Sequence, residues 1–413
     1  RVDEPPPFTE AFDLEELRRA HLRRTRAVGL QQSTENMRFV SLMCGCSGEA
    51  YAFRACGLPE HLMVFVEICP NSVETLRRTF PQATIVLGDV RDPLVEEFLV
   101  KNYKGSIDIG MVAQLCQASS LASTVTSKSD PRLDVGLWAA KLLVRLEPRV
   151  FITENVASFE IKQPEAYKAV LDVVRGLHPG AAPVHLNGKH CLLPQQRNRM
   201  FLVGGSDIDI TGLLSKAREQ RDATSGRFGD GHRTVRDALE PFLDLKGYDG
   251  YLIPQLRGCK RDGRGRPKRT RSLDYPSGTI TSHYGPRGAC SEAHLRALRP
   301  SRWSDANDST KDRTLALQPW MWGVLCDFPR QTPWSLGRTC KCNGCSGRRG
   351  ERRATPGEIQ RGNVVAPSTM LFLAKHIVRD LAAATTTPKA DAGRGCDSGT
   401  CTDLTSASLA DLE

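Results

Sequence analysis

The chain has 413 residues, enough to bury at least one large core and to form two domains. With 40% hydrophobic and 25% charged residues it is neither a disordered nor a fibrous composition. No apolar run approaches the roughly 20 residues that a membrane span needs. The formal net charge of +10 is lopsided: 22 Lys+Arg face 11 Asp+Glu between Glu240 and Thr355, leaving 35 against 36 elsewhere. Such a segment fits a solubilising surface and a surface that faces a polyanion equally well.

Taken in chain order, residues 1–36 carry a charged helical pattern, FDLEELRRAHLRRTRA, expected as a surface helix leading into a domain. The opening RVDEPPPFTEAF lacks the basic-then-apolar plan of a secretory signal, although a chain that begins with Arg leaves an upstream targeting segment open. The 14 cysteines are scattered, so reduced thiols and an intracellular location are expected. Residues 37–239 read as the main domain. MRFVSLMC, MVFVEIC, ATIVLGD, IDIGMVAQ, RVFITENV and RMFLVGG read as strands. AYAFRACG, SVETLRRTF, VGLWAAKLLVRL and EAYKAVLDVVRGL read as helices between them. The alternation predicts an α/β, doubly wound and largely parallel sheet, with ligands in the crevice beyond the carboxyl ends of the strands. Residues 240–356 are Gly-, Pro- and Arg-rich and irregular, with KRDGRGRPKRTR expected as a mobile loop. Residues 357–384 include a helical pattern, STMLFLAKHIVRDLA, expected to return to the first domain; residues 385–413 are expected to be disordered.

The residues just beyond the strands carry the chemistry. Gly45 and Gly48 bracket the turn after the first strand, where backbone amides can approach a ligand at a helix N-terminus. Glu67 ends the second strand, where a carboxylate can accept ribose hydroxyls, and Asp89 ends the third, where it can accept an adenine amino group. Each acid alone also fits a solvated strand end; three successive strand ends together favour a nucleoside pocket. Cys116 follows the fourth strand among polar residues, a place for an activated thiolate, although a lone Cys is also a common small buried residue. Glu154 and Asn155 follow from RVFIT, and Gln195, Arg197 and Arg199 precede the last strand. Alternation puts Arg197 and Arg199 on one face, able to pair with the Glu, a base or phosphates.

In order and spacing these segments resemble the C5-cytosine-specific DNA methyltransferase family. FVSLMCGCSG is similar to its cofactor glycine motif, VEICPNSVETLRRTFP to its ribose motif and LGDVRDP to its adenine-binding turn. DIGMVAQLCQASSLAS is similar to its nucleophile loop, RLEPRVFITENV to its glutamate motif and LNGKHCLLPQQRNR to its Q-x-R-x-R motif. RTVRDAL and RGNVVAP are similar to its closing motifs. The resemblance implies a Rossmann-like S-adenosylmethionine-dependent sheet with helices on both faces, plus a smaller irregular target-recognition region. It implies transfer of a methyl group to carbon 5 of a cytosine flipped out of duplex DNA. Cys116, Glu154, Arg197 and Arg199 would be catalytic; Met43, Gly45, Gly48, Glu67, Asp89 and Asn363 would bind the cofactor. Gln195, Arg264, Arg266, Lys268 and Arg269 would touch nucleic acid.

The chain departs from the family pattern in places. Gln114 and Leu115 stand where Pro-Pro usually precedes the Cys. Ser41 replaces an Asp, Met43 the Phe that packs on adenine, and Ser47 a Gly; Trp320 and Met321 replace an Arg-Glu pair. Outside the pattern, Cys340, Cys342 and Cys345 form a C-x-C-x-x-C group, a weak zinc candidate that lacks a fourth ligand, so no metal is assigned. A monomer is expected, with no membrane partner, in the nucleus of a eukaryote or the nucleoid or cytoplasm of a bacterium. Two other readings stay open: a tRNA-methylating relative, and a nucleic-acid-binding protein on a catalytically weakened scaffold.

Overall fold

The computed structural model describes residues 34–114, 131–223, 232–242, 251–254, 271–277, 295–298, 314–316, 319–335 and 364–386. Its centre is a seven-stranded sheet in the order β3-β2-β1-β4-β5-β7-β6. The strands are β1 (Phe39–Leu42), β2 (Met63–Glu67), β3 (Thr84–Leu87), β4 (Ile109–Ala113), β5 (Val150–Val156), β6 (Ala182–Asn187) and β7 (Asn198–Gly205). The first five run parallel, with Phe39 beside both Met63 and Ile109. β7 runs antiparallel between β5 and β6. The expected α/β Rossmann-like class is what the structure contains.

Successive side chains of a strand point to opposite faces, and both faces are covered. Phe39, Phe65, Met111, Ile152 and Phe201 face one hydrophobic cluster, while Val40, Val64, Val112, Phe151 and Leu202 face another. The first face is covered by α1 (Gly48–Ala55), α2 (Pro70–Thr79), α7 (Ile210–Ala223), α8 (Val235–Leu239), α9 (Pro319–Leu325) and α10 (Pro367–Thr386). The second is covered by α3 (Pro93–Tyr103), α4 (Pro131–Arg145) and α6 (Pro164–Leu177), with the one-turn helix α5 (Phe159–Lys162) leading into α6. This is why the central strands read as continuous apolar runs.

Several elements were not expected from the sequence, among them β6, α3 and α7. β6 contains Pro183 and His185, and its burial is uneven; an edge strand tolerates both. α3 has only Val95 and Leu99 buried, too sparse a stripe to announce itself. α7 likewise buries little beyond Leu213 and Ala217. The returning helix was expected and is α10, which lays Met370, Leu373, Ala374, Ile377 and Leu381 against the α1 side of the sheet. The expected recognition segment does not stand wholly apart: Met321, Leu325 and Phe328 lie in the main core. Phe328 meets Tyr51 edge-on at 5.4 Å, and the Ser335 amide donates to Thr75 Oγ1 at 2.9 Å. The apolar character of WMWGVLCDF explains this, because such a stretch must be buried. Four short strands, β8 (Tyr251–Pro254), β9 (Arg271–Ser272), β10 (Leu295–Leu298) and β11 (Thr314–Ala316), form a second sheet, antiparallel, ordered β11-β10-β8-β9. The expected N-terminal helix, the KRDGRGRPKRTR loop up to Thr270 and the tail beyond Thr386 lie outside the described residues, and Arg271 begins β9.

Candidate active site

The turn from β1 into α1 is built on alternate left-handed residues, Met43 (φ 57°), Gly45 (φ 57°) and Ser47 (φ 50°). Such a conformation is costly for side chains other than Gly, so neighbours must hold it. The Met43 amide donates to the Val66 carbonyl at 2.8 Å, and the Ser47 amide to Cys44 at 2.8 Å. Gly45 donates its amide to Glu67 Oε2 at 2.8 Å. A Cβ at Gly45 would meet nothing within 4 Å, so the glycine answers to its backbone angle alone. Gly48 differs: a Cβ there would lie 1.9 Å from the Val365 carbonyl oxygen. It lets the Val364–Ala366 stretch pack on the start of α1, which is how the closing motif reaches the turn. Both glycines expected to serve the cofactor therefore sit at the turn, one through its angle and the other through close packing.

Two acids, Glu67 and Glu49, hold that turn, and a third, Asp89, stands beyond the outer strand. Glu67 Oε1 accepts the Cys69 amide at 2.9 Å while Oε2 accepts Gly45. Burial pushes this carboxyl up from 4.5 to about 7, against those two hydrogen bonds. A carboxylate has about four lone-pair sites, so acceptor capacity remains on both oxygens. Asp89, beyond β3, is held low by its hydrogen bonds from Arg91, whose Nη2 lies 2.6 Å from Oδ2. The other acid at the turn is Glu49, which no motif had singled out. It is fully buried, and its Oε1 accepts from Ser41 Oγ at 2.7 Å and Ser47 Oγ at 2.8 Å. Burial raises it to about 7, those hydrogen bonds oppose the rise, and the charge of Glu154 adds to it. The sign of it in the sequence was an acid at the second position of a helix whose following residues, AYAF, are apolar.

Beyond β4 and β5 lies the second half of the site. In the antiparallel register Val156 faces Arg199 and Glu154 faces Phe201, so Glu154 and Arg199 are diagonal neighbours on one face. Arg199 Nε lies 2.6 Å from Glu154 Oε1, with both side chains less than a tenth exposed. The Nε–H is not aimed for a hydrogen bond, so charge at contact holds the pair. Asn155 Oδ1 accepts the Val156 amide at 2.8 Å, and its Nδ2 donates to Gln114 Oε1 at 3.0 Å. An amide N–H can only donate, so this chain fixes the orientation of both side-chain amides. Gln114 Nε2 is buried with no partner among the described residues. Gln114 thus ties the end of β4 to the Glu154–Asn155 segment, where the family pattern carries proline.

Arg197 and Arg199 do not act as a pair. Arg197 precedes β7, and its Nη2 donates to the Val364 carbonyl at 2.7 Å, a clamp on the closing motif. Gln195, expected at the nucleic acid, is instead fully buried and donates to the Leu325 carbonyl at 3.2 Å. Its amide is satisfied inside the protein. A further buried ion pair, Arg233 with Asp327 at 2.7 Å, joins the α8 side to the segment after α9. Cys116, Asn363, Arg264, Arg266, Lys268, Arg269, Cys340, Cys342 and Cys345 lie outside the described residues. Among the described residues no group of His, Cys, Asp or Glu could hold a metal ion, and no helix is long and apolar enough to cross a membrane. The six described cysteines are buried; burial raises Cys56 and Cys191 to about 12 and holds Cys44 and Cys46 well above the ordinary thiol range, so none of these four is an activated nucleophile.

Comparison with known proteins agrees with this geometry. The family model described as C-5 cytosine-specific DNA methylase matches residues 37–243. The chain is 26% identical over 174 residues to the type II methyltransferase M.NaeI of Lentzea aerocolonigenes, covering 41% of this chain and 40% of that protein. To the type II methyltransferase M1.HphI of Haemophilus parahaemolyticus it is 23% identical over 221 residues, covering 53% and 56%. It thus spans about half the length of these curated relatives. Among solved structures, the S. pombe Dnmt2 methyltransferase superposes with a TM-score of 0.53 at 16% identity, covering 84% of this chain and 99% of that one. At that identity the match speaks for the fold.

Proposed function

Since the chain belongs to the C-5 cytosine-specific DNA methylase family, we propose that it transfers a methyl group from S-adenosylmethionine to carbon 5 of a cytosine in DNA. The observation that carries this reading is the Glu154–Arg199 pair across β5 and β7, one strand from the end of β4, from which the chain runs on to Cys116.

The residues present fit the cofactor. Glu67 keeps free acceptor sites for ribose hydroxyls, Asp89 stands half-buried beyond the neighbouring strand, and the acids around the turn complement a positive ligand. When bound, S-adenosylmethionine supplies an electrophilic methyl group on its sulfonium. The Cys116 thiolate adds to carbon 6 of the flipped base, forming a C–S bond and moving the ring electrons toward carbon 5. Glu154 grips or protonates ring nitrogen 3, and Arg199 fixes that carboxyl in place. General acid help of this kind is worth roughly 10²–10⁴ in rate. Carbon 5 takes the methyl group, then loses its proton to a base, and the returning electrons expel the Cys116 thiolate. Flipping the base out of the stack costs a few kcal/mol, supplied by binding.

The test is covalent trapping on a duplex containing 5-fluorocytosine with S-adenosylmethionine present. A shifted protein–DNA band that Cys116→Ser abolishes is expected. A wild type that forms no adduct, or labelled methyl groups that enter tRNA and not duplex DNA, would overturn the reading.

A further inference from the structure

Two of the departures from the family pattern, Ser41 for Asp on β1 and Ser47 for Gly in the turn, converge on one atom. Both hydroxyls donate to Glu49 Oε1, at 2.7 and 2.8 Å. Glu49 is the second residue of α1 and has no solvent exposure, and its Oε2 is buried with no partner among the described residues. An unpaired buried carboxylate oxygen is among the most costly groups to keep in a protein, so it points to a charge that arrives with a ligand. The carboxyl lies among the groups of the site. Its charge and that of Glu67 both act on the Cys44 thiol inside the turn, and Glu154 acts on Glu49 from β5. Among described groups, Ser41 and Ser47 bond to it, Glu154 acts on it, and its own charge acts on Cys44.

We infer that Glu49 is a positioning residue that makes the turn prefer a cationic cofactor over its neutral product: clamped by Ser41 and Ser47, it supplies from α1 the carboxylate that the family pattern carries on β1. This rests on the S-adenosylmethionine reading above. Loss of the methyl group turns a sulfonium into a thioether and removes one positive charge from the ligand. A fixed negative charge beside the turn therefore attracts the donor and leaves the product unheld, which favours exchange after each turnover. Read this way, Ser41 and Ser47 are not signs of decay. They are the two hydroxyls that a relocated carboxylate needs.

Calorimetric titration of the full chain at pH 8 with S-adenosylmethionine and with S-adenosylhomocysteine tests the inference. Glu49→Gln keeps an acceptor for both serines and removes the charge. It is expected to weaken the donor about tenfold and the product by less than about twofold, as loss of one screened charge interaction would. Ser41→Asp combined with Glu49→Leu returns a carboxylate to β1 and is expected to restore the wild-type ratio of the two affinities. Equal weakening of both ligands by Glu49→Gln, or no change in either, overturns the inference and leaves the cofactor reading intact. If Glu49→Gln fails to fold, the double variant decides alone: a ratio shifted about tenfold toward the product overturns it. A wild type that binds neither ligand overturns the cofactor reading and this inference with it.

Discussion

Arg199 and Glu154 form a nearly dry ion pair, and such pairs are valued less for stability than for what happens when one partner is lost. Arg199→Met leaves the Glu154 carboxylate buried and uncompensated. A loss of ~3–5 kcal/mol in urea unfolding is expected, together with loss of methyl transfer. Retention of wild-type stability would mean that Glu154 is better solvated than its burial suggests. Glu49 and Glu67 predict the pH response. Both carboxyls sit at about 7 in the fold against 4.5 unfolded, so the folded chain keeps protons that the unfolded chain releases. Their contribution is therefore fully present below pH 4.5 and is lost as pH rises toward 7. Unfolding free energy should fall between pH 5 and pH 8, and Glu49→Gln should remove up to ~3 kcal/mol of that fall. A curve for Glu49→Gln parallel to the wild type would show that this group does not titrate in the window.

At the scale of elements, the two glycines of the turn separate angle from space. Gly48→Ala drives a Cβ into the backbone at Val365, which cannot rotate away. It should cost ~2 kcal/mol or more and loosen α10, read as lost hydrogen-exchange protection along Leu373–Leu381. Gly45→Ala meets no atom and should cost only ~1–2 kcal/mol for its left-handed angle. Equal costs for the two variants would contradict the packing of the closing motif described here. The central strands were legible because they are buried on both faces and read as apolar runs, while β3, only partly buried at an edge, was legible from its apolar run alone. β6, α3 and α7 were not, because edge position or a narrow buried stripe leaves little periodicity in the sequence. The stretch from Pro319 to Ser335 was legible as apolar but not as part of the main core, since its partners Tyr51 and Thr75 lie more than 250 residues away in the chain.

For the whole molecule, charge is the property that reaches beyond the fold. The excess of Lys and Arg between Glu240 and Thr355 should dominate affinity for duplex DNA, through release of counterions. Binding measured by fluorescence anisotropy is expected to fall ~10³–10⁵-fold between 50 and 200 mM salt if six to ten phosphates are neutralised. Replacing Arg264, Arg266, Lys268 and Arg269 with Ala should flatten the logarithmic salt slope by roughly 3–4. An unchanged slope would remove those residues from the nucleic-acid surface.

Composition, apolar runs and the order of short motifs were enough to determine the α/β class, the family and the acids on β2 and β5, because these depend on local spacing along the chain. Tertiary structure alone decided which arginine meets Glu154, since that follows from the antiparallel register of β7 on β5. It also buried Gln195, turned Arg197 toward Val364 and placed Ser41 and Ser47 on Glu49. Hydrogen bonds between side chains depend on which surfaces the folded chain brings together, and no spacing in the sequence carries that information.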